Sequence, residues 1–235
     1  MIKFFRHIRQ NLIMENKTGK YLKYAIGEIV LVVIGILIAL QINNWNEDYK
    51  NSKKERSYLI NLQQDIITDS LRLSELIQNF ELAVRSKRRF EKIIEGQNTT
   101  NDSLIIYVNN QIDHIKDFVP NTSTFDELKN SNGLNLISNP KLKRQIVTLY
   151  NSYDDLILKL KLGSEKSQIL YAHLSKYVNN INTITSEEIQ VLLNDNFFRN
   201  QMLLNYLYTQ STATSLAFEN CVEILNLLKK EIQND

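Results

Sequence analysis

Nineteen residues, Tyr24 to Ile42, decide which solvent this chain is built for. As a helix they reach about 28 Å, close to the roughly 30 Å hydrocarbon core of a bilayer. Glu28 is the one charge in the stretch, and from Ile29 to Leu40 no side chain is polar. The stretch reads as a single membrane-spanning helix. Upstream stand Lys3, Arg6, Arg9, Lys17, Lys20 and Lys23 against one acid, Glu15. Trp45 and Tyr49 mirror Tyr21 and Tyr24, so amphipathic rings fall at both headgroup levels. The positive-inside rule puts the N-terminus in the cytoplasm and everything beyond Asn43 across the membrane. Lys50, Lys53, Lys54 and Arg56 follow the span closely, interleaved with Glu47, Asp48 and Glu55, and they narrow that bias.

A cleaved signal peptide fits less well. The apolar run exceeds the usual length of such a segment, and its exit, Ala39-Leu40-Gln41-Ile42-Asn43-Asn44, offers no small-x-small cleavage site. No cysteine stands there for lipid attachment. The reading is an uncleaved signal anchor in the inner (cytoplasmic) membrane. The organisation that follows is a basic cytoplasmic segment over 1–23, the span over 24–42 and a periplasmic domain over 43–235. In the first segment Phe4, Phe5, Ile8 and Leu12 share one arc, as in a helix lying on the inner leaflet.

The charge balance divides along the same line. The whole chain carries 28 basic and 26 acidic residues, and residues 1–42 hold six and two of them. The remaining 193 residues are therefore slightly acidic, which argues against nucleic acid as a partner. The basic N-terminal segment suits anionic inner-leaflet lipids instead. One cysteine, Cys221, excludes an internal disulfide and reads as a buried small hydrophobe.

Two prolines and six glycines leave little punctuation, and the long segments between them show helical period. The expectation is an all-α fold, an antiparallel helical bundle on a membrane helix. Counting in sevens from Leu59, the a positions are Leu59, Ile66, Leu73, Phe80, Lys87 and Ile94, and the d positions Leu62, Asp69, Leu76, Ala83 and Phe90. Nine of these eleven are apolar. Ile60, Ile67, Ile77 and Val84 widen the stripe, which favours a bundle helix over a two-stranded coiled coil. No breaker separates Ile42 from Glu95, so span and heptad can form one helix, ended at Gly96. Further helices are expected from Ser103 to about Phe118, from Asn139-Pro140 towards Tyr177 with Gly163 a candidate break, from Ser186, and from Phe197 to Ile232. Residues 122–138 read as a short helix and a Gly133 turn.

Three blocks carry a resemblance: Met14 to Tyr21 (MENKTGKY), Tyr24 to Glu47 (YAIGEIVLVVIGILIALQINNWNE) and Phe125 to Ile137 (FDELKNSNGLNLI). In these the chain resembles a family of uncharacterised single-pass membrane proteins of Bacteroidetes, a domain of unknown function. The resemblance implies a bacterial membrane protein and supplies no activity or catalytic residue.

The inventory of chemistry is short. His114 and Asp117 can share a helix face, but two ligands do not make a metal site, and His7 and His173 belong to distant segments. Cys221 with His173 would be the one nucleophile and base pair, without a third member or an oxyanion signature. Phosphate-cradling glycine loops, Gly-x-Ser-x-Gly and His-Glu-x-x-His are missing from the sequence. No catalytic residue, metal or cofactor is assigned. Lys87-Arg88-Arg89 reads as the wet side of the long helix.

Within the span, Glu28, Val32, Gly35, Ala39 and Ile42 fall within about 80° on a helical wheel. Gly35-x-x-x-Ala39 lets two backbones approach, and a carboxylate at the hydrocarbon edge favours a partner or a headgroup contact. Glu28, Gly35 and Ala39 are thus the candidate association face, with Tyr21, Tyr24 and Trp45 as interfacial anchors. The counter-reading is a shallow Glu28 that reaches inner-leaflet water.

The expected function is a non-enzymatic interaction or scaffold module of the cell envelope. Its expected partners are the lipid bilayer and a second copy or another membrane protein. The alternative is a ligand-sensing or signal-relay element coupled to a partner through the membrane helix, which a polar cavity in the bundle would favour. An enzyme would instead need clustered acid and base groups with shifted pKa values.

Overall fold

The computed structural model describes residues 18–112, 117–181, 183–204 and 206–234. Every regular element among them is helical: α1 (Thr18–Ile94), α2 (Asn101–Ile112), α3 (Ser123–Asn130), α4 (Pro140–Leu174), α5 (Ser186–Asn194), α6 (Asn196–Leu203) and α7 (Tyr206–Asn234), with a 3-10 turn at Gly133–Asn135. The all-α class expected from periodicity is what forms. The chain divides into two compact units, Met1–Lys54 and Glu55–Asp235, with the boundary inside α1. The N-terminal amphipathic segment and His7 lie outside the described residues, as does His114.

In the first unit, α1 is long and apolar enough to cross a membrane, and none of its most apolar 18-residue window is buried. From Val30 to Ile42 the large aliphatic side chains stand exposed. In water such a surface would cost about 25 cal/mol for each Å² left uncovered, so it calls for lipid or protein around it.

The second unit explains the heptad. Leu59, Leu62, Ile66, Leu73, Leu76, Phe80, Ala83 and Phe90 are all buried, and so are both polar exceptions, Asp69 and Lys87. Ile94, in the last turn, is only half-buried. The seam packs on the chain's own helices: Leu142, Ile146 and Leu149 of α4 and Ala217, Ile224 and Leu228 of α7 share its core. Each leucine, isoleucine or phenylalanine there contributes about 1.5–3 kcal/mol. That exceeds the propensity differences along the helix, so packing sets the register. A second core gathers Phe90 with Leu104, Val108, Leu170, Ile189 and Phe198, joining the end of α1 to α2, α4, α5 and α6.

The stop and start signals work as local chemistry. Gly96, at φ 102°, ends α1 in the left-handed conformation that glycine alone adopts freely. Asn139 caps α4 by accepting from the Lys141 and Leu142 amides at 3.0 and 3.1 Å. Thr185 and Glu188 close a reciprocal capping box at the start of α5.

Three expectations need correction. Gly163 does not break α4, which runs on to Leu174. It is glycine because Gln210 of α7 lies against it: an added Cβ would stand 1.8 Å from Gln210 Nε2, whose amide donates to Lys159 O at 3.1 Å. The helix expected from Ser103 to Phe118 starts at Asn101, and its described part ends at Ile112. The single final helix from Phe197 is two helices, α6 and α7, parted at Leu204, whose ψ of 143° is extended.

Candidate functional site

Polar side chains on the core face of α1 share one task. Glu55, one heptad step before Leu62, accepts from Ser138 N at 2.6 Å and Ser138 Oγ at 2.8 Å, just ahead of α4. Asp69 accepts from the Asn121 amide at 3.0 and 3.2 Å and from Asn121 Nδ2 at 3.1 Å. Lys87 Nζ donates to Met202 O at 3.0 Å, in the last turn of α6, and pairs with Glu91 at 3.1 Å. Beside them, Arg72 donates to Val119 O and Arg56 to Ile232 O in the last turn of α7. Each interior lapse in the apolar pattern therefore satisfies backbone groups that have no helical partner, at a loop or a helix end. Lys87 is the clearest correction: it is 1% exposed, not on the wet side, while Arg88 and Arg89 do face solvent.

Around Asp69 the polar groups gather into a cluster. Asp65 accepts from Thr124 Oγ1 at 2.6 Å, and Tyr150 donates to Asn121 O at 3.2 Å. Tyr153 OH lies 3.1 Å from Cys221 Sγ. Burial pushes the Asp69 carboxyl up to about 6, against the lowering effect of the Asn121 amide and Arg72. Burial likewise raises both tyrosines and lifts the Cys221 thiol to about 11. At neutral pH Cys221 is thus a protonated core residue and a poor nucleophile.

Next to the cluster opens a hollow of about 390 Å³ between the loop before α3, α3 itself and α4. Phe125, Tyr150 and Tyr153 form its aromatic wall, and Asp126, Lys129 and Asp154 are the charged side chains that line it. Phe125 stacks on Tyr150 with ring centres 4.0 Å apart and planes 6° from parallel. Tyr153 meets Tyr150 edge-on at 5.4 Å.

The Cys221 and His173 pairing does not form. Cys221 takes Tyr153, whereas His173 Nε2 is 2.9 Å from Asp195 Oδ1 and packs on Phe197 and Tyr177. Asp195 also caps α6 through the Phe198 amide at 2.6 Å; that bond, followed by His173, holds its carboxyl below the usual carboxylate range. The described residues hold no cluster of three or more His, Cys, Asp or Glu suited to a metal.

In the first unit, Glu28 is partly covered and Ala39 is exposed, and a side chain added at Gly35 would meet open space. Ala39 and Trp45 border the same shallow groove, and Trp45 is 74% exposed. Tyr21 and Tyr24 lie in the first turns of α1. All six residues therefore lie along one helix, α1.

Asp69 and Lys87 looked like mere lapses in the heptad. The signal that finds their role is position: a charge at a or d inside an apolar seam needs a buried partner. No curated protein and no solved structure matches this chain. One family model does match, over residues 28–210, so the chain belongs to a family of unknown function (DUF6090).

Proposed function

We propose that this protein is a membrane-anchored, non-enzymatic interaction or scaffold module of the cell envelope. In this reading α1 crosses the inner membrane once with its N-terminus in the cytoplasm, and the second unit is an antiparallel helical bundle outside. One observation carries the reading: the span's aliphatic surface is bare, while the apolar seam that continues it along α1 is filled by α4 and α7. In this reading the partner docks on the span, along the face that holds Gly35 and Ala39 beside Glu28.

The clustered groups around Asp69 support a structural role over catalysis. Both of its oxygens accept from Asn121, and every shift there has burial as its first cause. A photo-crosslinking residue at Ala39, compared with one at Leu37 on the opposite side, tests the proposal in intact cells. Capture of a second copy or of another membrane protein from position 39 alone is the expected result. Equal capture from both positions, or lipid adducts only, would refute the association face.

A further inference from the structure

We propose that a second copy of this chain docks on the solvent face of α1, pairing the two helices in parallel over residues 57–78. Opposite the core seam runs a second stripe of seven-residue period. Its a positions are Ser57, Gln64, Leu71 and Gln78, and its d positions are Ile60, Ile67 and Ser74. None of the seven is buried, and Ile60, Ile67 and Leu71 are 45%, 38% and 64% exposed. With the flanking e and g positions, a partner helix would touch thirteen side chains, and Glu75 is the one charge among them. Charged residues make up 23% of the chain, so a face meant only for water would hold about three. The exposed apolar row of α4, Leu158, Leu162 and Ile169, shares its face with Asp155 and Glu165 and lacks this property.

Charge also points to the occupant. Two copies laid in register set Ile60, Ile67 and Leu71 each against its own counterpart, and no like charges are opposed along the stripe. Gln64 and Gln78 then meet their counterparts, and polar residues at a positions specify register at some cost in stability. Lys53 and Glu81, at the d positions just outside, would each face a like charge and so bound the contact. A partner recognised by charge would find almost nothing here to pair with. The parallel sense rests on the membrane-anchored reading: copies inserted through the same span point the same way. An isologous two-fold contact between them then sets α1 beside α1.

Disulfide trapping on the full chain in native membranes tests the proposal, because Cys221 is buried and leaves an introduced cysteine as the reactive thiol. Gln64→Cys and Leu71→Cys should each trap same-site dimers several-fold more than Leu158→Cys, a comparably exposed control on α4. In the Gln64→Cys chain, Leu71→Glu should abolish the dimer with the far-UV helix signal unmoved, since Leu71 stands outside the core. Trapping at 64 and 71 no greater than at 158, or trapping that survives Leu71→Glu, would overturn the proposal. So would a disulfide joining an Ile60→Cys copy to a Leu71→Cys copy in preference to same-site pairs, the sign of antiparallel docking. The span face fails separately: a seam dimer without capture at Ala39 keeps this proposal and removes that face, and capture at Ala39 without a seam dimer does the reverse.

Discussion

Lys87 Nζ stands 3.0 Å from the carbonyl oxygen of Met202, and there the final helical stretch of the chain divides in two. In an unbroken helix that oxygen would accept from the amide four residues on. Here the ammonium takes it, at the negative end of the α6 dipole, and Glu91 balances the charge. Replacing Lys87 with Met keeps the apolar stem and removes the donor. The expected cost is about 1–3 kcal/mol in chemical unfolding, the range for an orphaned buried carbonyl. Hydrogen exchange should rise first in the amides on either side of Leu204. An unchanged stability would mean that the break is held by something else.

Asp69 gives the second unit a distinctive pH response. Its folded pKa of about 6 lies above the ordinary 3.8, so the folded state holds the proton more tightly than the unfolded chain. Stability therefore falls as pH rises through the window between those values, by about 3 kcal/mol at most. Asp69→Asn should flatten that segment of the curve, and urea midpoints at pH 4 and pH 7 would show it. Asp69→Ala, which strands the Asn121 amide, should cost about 1–3 kcal/mol at both values.

At Gly163 two effects compete. Alanine gains about 1 kcal/mol of helix propensity over glycine, yet its methyl would displace the buried Gln210 amide from Lys159 O. The second effect should win, giving a net loss of about 1 kcal/mol or more. In a Gln210→Ala background the same change should become neutral or stabilising. A double-mutant cycle that is simply additive would remove the proposed contact.

Cys221 should stay silent to thiol reagents in the native protein. It is fully buried, its thiol is pushed up to about 11, and its sulfur rests on Tyr153. Labelling followed along a urea series should track global unfolding. Fast labelling at zero denaturant would place Cys221 at an open surface instead.

Much of the fold is legible in the residues because it follows short-range rules. The Leu59 heptad names the seam, Asn139-Pro140 names the start of α4, and Gly96 names the end of α1. What was missed depends on distant partners. Gly163 looks like a break until Gln210, 47 residues on, is seen to lie against it. At the gap by Leu204 the Met202 carbonyl is met by Lys87, 115 residues before it. The hollow is equally hidden, because Tyr150 and Phe125 meet only when α3 and the loop before it settle on α4. The proposed association face of Glu28, Gly35 and Ala39 is read from helical spacing alone.

The proposed function stands on residues 24–42 of α1 lying in a bilayer. Alkaline carbonate extraction of cell membranes tests it most directly, on the full chain and on a variant with Val33→Lys and Leu37→Lys. Two lysines near the bilayer centre cost about 2.5–3.5 kcal/mol each on insertion scales. The wild-type chain should stay wholly with the lipid pellet while the variant is released. Release of the wild-type chain into the carbonate supernatant would contradict the account.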